Sequence, residues 1–314
     1  MHTSALLGTL LQTQTYAAEC PLRAPPKANR RKNSRAPKFS LDRRMGGADI
    51  LAVRLLKTVA FAAALALAAW ARAQTITVSA AISLKEVLAD IAQRYEAETG
   101  QEVDFNLGAS GTLAAQIYQG APVDLFISAG PSQVDELVGA GLADGGTRMA
   151  IAGNRLVLIV PKSDPNPPKS FQDLTDSRFV HVAIGDEKVV PAGQYAMQTL
   201  RSLRLDQVLA SRLVMAQNVR QVLLYVSRGE AEAGVVYATD AAAAADAVKI
   251  AAVADEATHD PILYPAVIIK SGKTAAAAKF LQYLRSEKSQ AIFAAHGFTA
   301  PPAAPAATTE KSGG

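Results

Sequence analysis

From Thr75 onward, the chain alternates short apolar runs with segments of helical periodicity. The run ITVSA at 76–80 is followed by apolar residues at helical spacing from Leu84 to Tyr95, and Gly100 then ends the segment. A second set of the same kind begins near residue 179. This alternation is typical of parallel strands covered by helices, and two sets predict two α/β units.

The remaining elements follow from the same reading of the chain. Apolar runs predict strands at 76–80, 103–107, 123–129, 156–161, 179–184, 213–216, 233–237, 248–253 and 264–269. Helical spacing predicts helices at 84–95, 113–119 and 134–138, from Pro191, over 219–227 and over 274–296. The Pro/Ala-rich segment 301–314 is predicted to be a disordered tail.

The segment before residue 74 has the pattern of a secretory signal. Residues 59–70 are apolar, Arg54 and Lys57 precede them, and the A-x-A motif of a cleavage site follows at 71–73. The apolar run is too short to cross a bilayer as a helix, which needs about 20 residues. We predict a signal peptide at 45–73 that directs the chain to the periplasm.

Residues 1–44 are basic, carry several prolines and have no sustained periodicity. Signal peptides usually begin at their own initiator methionine, and Met45 occupies that place. We expect residues 1–44 to derive from a start codon assigned too early. A genuine disordered extension is the alternative.

The positive net charge of the chain, +4, comes from its N-terminal part. Residues 1–73 carry 12 Lys/Arg and 3 Asp/Glu, which leaves 20 basic and 25 acidic residues for 74–314. The predicted mature protein is therefore acidic, and we expect no nucleic acid among its partners.

A small or hydroxyl residue recurs where a predicted strand gives way to a helix: Ser83, Ser110, Ala192 and Val219. The first turn of a helix has free N–H groups and the positive end of the dipole, which suits an anion. An ordinary N-cap role for the serines is the alternative. An exported serine hydrolase is a second alternative, although the segment 108–112 lacks the last glycine of a nucleophile elbow.

Several segments together resemble one family, the periplasmic molybdate-binding proteins of ABC transporters. In chain order they read AAISLKEVLADIA, GASGTLAAQI, GAPVDLFISA, VVPAGQYA, NVRQVL, GVVYATDA, YPAVII and HGFT. The resemblance extends over 75–299. It implies the type II periplasmic binding protein fold, an α/β fold of two lobes with a ligand cleft between them. Lobe 1 would comprise 74–154 and 260–300, and lobe 2 would comprise 155–259.

The resemblance also implies a ligand and a binding site. Ser83 and Ser110 would donate hydroxyl and main-chain N–H groups from lobe 1, Ala192 and Val219 main-chain N–H groups from lobe 2, and Tyr237 its phenol. The ligand would be molybdate or tungstate, held through its oxygens without direct metal ligation. The implied protein is a monomer without cofactor or enzymatic activity that delivers the anion to a membrane permease. Another tetrahedral oxyanion such as sulfate is the alternative ligand.

Overall fold

The computed structural model describes residues 75–270 and 272–301, which all lie within one compact unit of the chain. The predicted signal peptide, residues 1–44 and the tail after Pro301 lie outside the described residues. Ten strands form two five-stranded sheets in this part of the chain. Among the described residues, no helix is long and apolar enough to span a membrane.

The first sheet has the strand order β2-β1-β3-β10-β4. Its strands are β1 (Ile76–Ala81), β2 (Val103–Gly108), β3 (Leu125–Ile127), β4 (Met149–Gly153) and β10 (Leu263–Ile268). Strands β2, β1 and β3 are parallel, whereas β10 runs antiparallel to both β3 and β4.

The second sheet has the order β7-β6-β8-β5-β9. Its strands are β5 (Leu156–Pro161), β6 (Val182–Gly185), β7 (Leu213–Ala216), β8 (Ala233–Tyr237) and β9 (Val248–Val253). Here β7, β6 and β8 are parallel, and β5 is antiparallel to β8 and β9. Each sheet thus contains the predicted parallel strands together with strands that run antiparallel to them. The chain passes from one sheet to the other after β4 and returns before β10, so each sheet contains strands that run in both directions.

The helices of the described residues are α1 (Lys85–Thr99), α2 (Ser110–Tyr118), α3 (Pro131–Gly139), α4 (Pro191–Ser202), α5 (Asp206–Leu209), α6 (Val219–Ser227), α7 (Ala238–Ala243), α8 (Thr274–Leu284) and α9 (Glu287–Ala295). A 3₁₀ turn, Ile82–Leu84, connects β1 to α1. Below, lobe 1 means the first sheet with its helices and lobe 2 the second sheet with its helices. The exact boundaries proposed for the lobes remain a prediction.

Three predicted elements are shorter or divided in the structure. The strand expected at 123–129 is confined to Leu125–Ile127, because the Asp124 carboxylate accepts hydrogen bonds from the N–H groups of Thr77 and Lys273. The strand expected at 179–184 begins only at Val182. The helix expected over 274–296 is two helices, because the Ser286 hydroxyl caps α9 by accepting from the N–H of Ser289.

One strand and two helices were missed, among them α5, which has only four residues. Strand β4 is short and its sequence, MAIAG, is rich in small residues, while α7, with the sequence ATDAAA, has no apolar periodicity. Both lie close to the place where the chain passes between the lobes. The core is continuous across that place, since one cluster of buried apolar side chains includes Ile127 of lobe 1 and Val235 of lobe 2.

Candidate functional site

The structure brings all five predicted site residues to one cavity between the lobes. The cavity has about 220 Å³ of atom-free space, part of which is open to solvent. It is lined by Ala81, Ile82, Ser83, Gly108, Ala109, Ser110, Ala129, Val190, Pro191, Ala192, Asn218, Val219 and Tyr237. None of these lining residues, which all belong to the described part of the chain, carries a formal charge.

Three helix N-termini converge on this cavity. Ser110 is the first residue of α2, Ala192 follows Pro191 at the start of α4, and Val219 is the first residue of α6. N–H groups in the first turn of a helix have no partner within the helix, and the dipole makes this end positive. The cavity therefore offers N–H donors from both lobes without a cationic side chain.

The two serines are not helix N-caps. Ser83 lies within the 3₁₀ turn, and the N-cap of α2 is Ala109, which makes no side-chain cap bond. By contrast, the Asn218 side chain caps α6 by accepting from the N–H of Gln221. The N-cap alternative for Ser83 and Ser110 is therefore wrong. Helix capping does not account for the burial of these two serines.

The hydrogen bonds of Ser110 leave its proton available to the cavity. Its Oγ accepts from the main-chain N–H of Ala129 at 3.1 Å. A hydroxyl that accepts in this way still has one O–H to donate. Ser110 is completely buried and lines the cavity, so a ligand oxygen there is a suitable acceptor for that proton.

Tyr237 has a different hydrogen-bond arrangement from the one expected. Its hydroxyl donates to the main-chain oxygen of Ala129 at 3.1 Å, a bond that joins lobe 2 to lobe 1. Burial raises the pKa of the Tyr237 phenol well above its ordinary value, so the proton is retained. To donate to an anion, the O–H must turn away from Ala129, and the donor role of Tyr237 stays a prediction.

The two lobes touch beside the cavity. The N–H of Gly111 donates to the main-chain oxygen of Val189 at 2.9 Å, and a Cβ on Gly111 would come within 2.7 Å of the Val189 Cα. A Cβ on Gly130 would lie 3.0 Å from Pro191. The close packing at these glycines was not predicted from the sequence, because only the folded chain shows how near the opposite backbone comes.

A charged cluster also joins the lobes. The Arg220 guanidinium of α6 pairs with Glu86 of α1 and lies 3.2 Å, from Nε to Oδ1, from Asp240 of α7. Asp240 is completely buried, and neither carboxylate oxygen has a hydrogen bond of good geometry within the described residues. Burial raises the pKa of Asp240 to about 7, with Arg220 acting to lower it and Glu86 to raise it.

The histidines of the described residues lie away from the lining of the cavity. His296 pairs with Asp90 at 2.8 Å, His181 lies 3.9 Å from Glu232, and His259 Nδ1 contacts the main-chain oxygen of Asp260. In residues 75–270 and 272–301, no group of three or more His, Cys, Asp or Glu side chains could hold a metal ion. The donors at the cavity suit an oxyanion.

The geometry is that of a binding protein whose ligand is enclosed between two lobes. The family model of the bacterial extracellular solute-binding proteins matches residues 76–299. The chain belongs to this family. Its relatives are solute-binding proteins and not enzymes.

Individual relatives show which members the chain is similar to. The putative ABC transporter substrate-binding lipoprotein YvgL of Bacillus subtilis is 40% identical over 231 residues, 72% of this chain and 86% of the relative. The molybdate-binding protein ModA of Escherichia coli is 36% identical over 228 residues, 71% of this chain and 88% of the relative.

A solved structure extends the comparison to the fold. The periplasmic molybdate-binding protein of Azotobacter vinelandii has a TM-score of 0.65 and 28% identity, covering 72% of this chain and 99% of its own. The predicted two-lobed fold and the resemblance to molybdate-binding proteins are confirmed.

Proposed function

We propose that this protein is the substrate-binding subunit of an ABC importer that captures molybdate, and also tungstate, in the periplasm. It acts as a monomer and delivers the anion to a membrane permease. The observation that carries the proposal is the convergence of helix N-termini and two serine hydroxyls on an uncharged cavity between the lobes. The similarity to proteins named for molybdate binding supports the choice of ligand.

Neutral donors are well suited to a dianion that must be bound and later released. A dianion that enters the cavity loses its hydration, and each hydrogen bond to a charged ligand contributes about 1.5–3 kcal/mol. Because the N–H groups at the helix ends are fixed in position, they bind an anion of matching radius more tightly than a smaller or larger one. An oxyanion that carries a proton needs an acceptor, and the donors of this cavity disfavour it.

The two alternatives predict different behaviour. Sulfate has the same charge and tetrahedral shape as molybdate, so only relative affinity separates these ligands. A serine hydrolase needs a general base beside its nucleophile, whereas the described lining of the cavity contains no histidine. The Ser110 hydroxyl contacts a main-chain N–H there, which cannot act as a base.

Molybdate is expected to stabilise the purified chain that begins at Gln74. A ligand that binds only the folded state at 100 times its Kd adds about 2.7 kcal/mol to the free energy of unfolding. Calorimetric titration and thermal unfolding with molybdate, tungstate, sulfate and phosphate measure this. A rise in Tm with sulfate and none with molybdate or tungstate would show that the ligand is misassigned.

Replacing Val219 with proline is expected to weaken molybdate binding by about ten- to a hundredfold, the loss of one hydrogen bond to a charged ligand. Proline removes the N–H at the first position of α6, where its fixed φ is tolerated. The preceding Asn218 is extended, with φ −163° and ψ 169°, as a residue before proline prefers.

The matched control is Val219→Ala, which shortens the side chain and keeps the N–H. We expect this variant to bind within a few-fold of the parent, while both variants lose some stability because Val219 is buried. Calorimetry gives the affinities and chemical unfolding gives the stabilities. Equal affinities for the two variants would mean that the Val219 N–H does not contact the anion.

A further inference from the structure

A chain of buried hydrogen bonds leads from the segment between the lobes to Ser83. Asn154 lies between β4 and β5, where the backbone passes from lobe 1 to lobe 2. Its Nδ2 donates to Thr239 Oγ1 at 2.9 Å and to Tyr264 Oη at 3.1 Å. The Tyr264 hydroxyl in turn lies 3.2 Å from Ser83 Oγ.

The orientation of the Asn154 amide follows from one main-chain group. The N–H of Arg155 donates to Asn154 Oδ1 at 2.8 Å, and an N–H can only donate. Asn154 Oδ1 is therefore the acceptor, which leaves Nδ2 facing Thr239 and Tyr264. Tyr264 Oη accepts a hydrogen bond from Asn154 Nδ2 and must find an acceptor for its own O–H.

Among the described residues, Ser83 Oγ lies within hydrogen-bond distance of Tyr264 Oη and can accept from it. Tyr264 is completely buried, and burial raises the pKa of its phenol far above the ordinary value, so it keeps its proton. A buried O–H that donated to nothing would lose the hydrogen bond that it makes to water in the unfolded chain, with nothing to replace it. When Ser83 accepts from Tyr264, its own O–H is free to point at the cavity that it lines.

We propose that Tyr264, held by Asn154, is a positioning residue that fixes the Ser83 hydroxyl as a donor toward the anion. This inference rests on the proposed function. This orientation of Ser83 would make the site select against anions that carry a proton. A serine with its lone pair turned to the cavity would instead accept a hydrogen bond from such an anion. The Ala129 N–H acts on Ser110 in the same way: it donates to Ser110 Oγ, which leaves the Ser110 O–H to donate to the anion.

The test is a double-mutant cycle with Tyr264→Phe and Ser83→Ala. Tyr264→Phe removes one hydroxyl and keeps the ring, which packs 5.8 Å from the Tyr237 ring, centroid to centroid. We expect Tyr264→Phe to weaken molybdate binding about five- to tenfold, the effect of one hydrogen bond. In the Ser83→Ala background, the same change is expected to alter affinity by less than about twofold, because its effect passes through Ser83.

Two readouts distinguish positioning from a general loss of packing. The ratio of molybdate to phosphate affinity, from calorimetry with phosphate as the competing anion, is expected to fall in Tyr264→Phe. The matched control is Tyr95→Phe, which removes a buried tyrosine hydroxyl that donates to Gln101 at 3.2 Å outside the cavity. We expect this control to change stability and to leave both affinities as they are in the parent.

The outcomes separate the inference from the proposed function. A parent protein that binds no molybdate overturns the proposed function, and this role of Tyr264 with it. If the parent binds molybdate, two results would overturn only the inference. One is an equal effect of Tyr264→Phe with and without Ser83→Ala, and the other is an unchanged ratio of molybdate to phosphate affinity. A coupled cycle together with a lower ratio supports it.

Discussion

Replacing Gly193 with alanine is expected to lower the free energy of unfolding by about 3 kcal/mol, near the upper end for an overpacked core. Gly193 is buried in the first turn of α4, and a Cβ there would collide with the carbonyl group of Gly185 at the end of β6. Main-chain atoms cannot rotate away as a side chain can. The start of α4 must therefore move away from the sheet.

The same movement is expected to weaken molybdate binding about ten- to a hundredfold, because the Ala192 N–H shifts with the helix start and the hydrogen bond that we propose it donates to the anion is lost. Chemical unfolding and calorimetry measure the two effects. The matched control is Gly139→Ala at the end of α3, where a Cβ meets nothing within 4 Å. This control is expected to bind normally and to be stabilised by about 0.4–1 kcal/mol.

A normal affinity in Gly193→Ala, with the expected loss of stability, would mean that the start of α4 does not hold the ligand. An unchanged free energy of unfolding would mean that the start of α4 is less closely packed against Gly185 of β6 than in the structure.

Replacing Asp240 with asparagine is expected to remove part of the pH dependence of stability. The folded-state pKa of Asp240 is raised from 3.8 to about 7, so the folded protein holds this proton more tightly than the unfolded chain. A raised carboxyl pKa contributes stability below about pH 4 that is lost as pH rises to about 7. The full contribution corresponds to about 4 kcal/mol, since each pKa unit equals about 1.4 kcal/mol.

We therefore expect the parent and Asp240→Asn to have similar stability near pH 4 and the variant to be more stable above pH 7. The asparagine keeps the shape of the side chain and leaves Arg220 paired with Glu86. Urea unfolding of both proteins from pH 4 to pH 8 gives the difference curve. Parallel curves would mean that Asp240 stays ionised in the folded protein as the partner of Arg220.

Much of the fold could be predicted from local sequence patterns. Strands β5, β7, β8 and β9 have the predicted bounds, because continuous apolar runs between turn residues are typical of buried strands. The bounds of the strand predicted at 123–129 were wrong because the Asp124 carboxylate, and not a main-chain carbonyl of that strand, accepts the hydrogen bond of the Thr77 N–H of β1. Whether such a side chain replaces a strand carbonyl depends on a neighbour that is remote in sequence.

The sequence by itself determined the α/β alternation and placed Ser110, Ala192 and Val219 where a strand gives way to a helix, because apolar periodicity and first-turn geometry are local properties. Only the tertiary structure decided that these helix ends face one cavity, and that Asn154 and Tyr264 direct the Ser83 hydroxyl. Tyr264 and Ser83 are 181 residues apart. No local preference specifies a contact at that separation, which forms only when the chain has crossed between the lobes and returned.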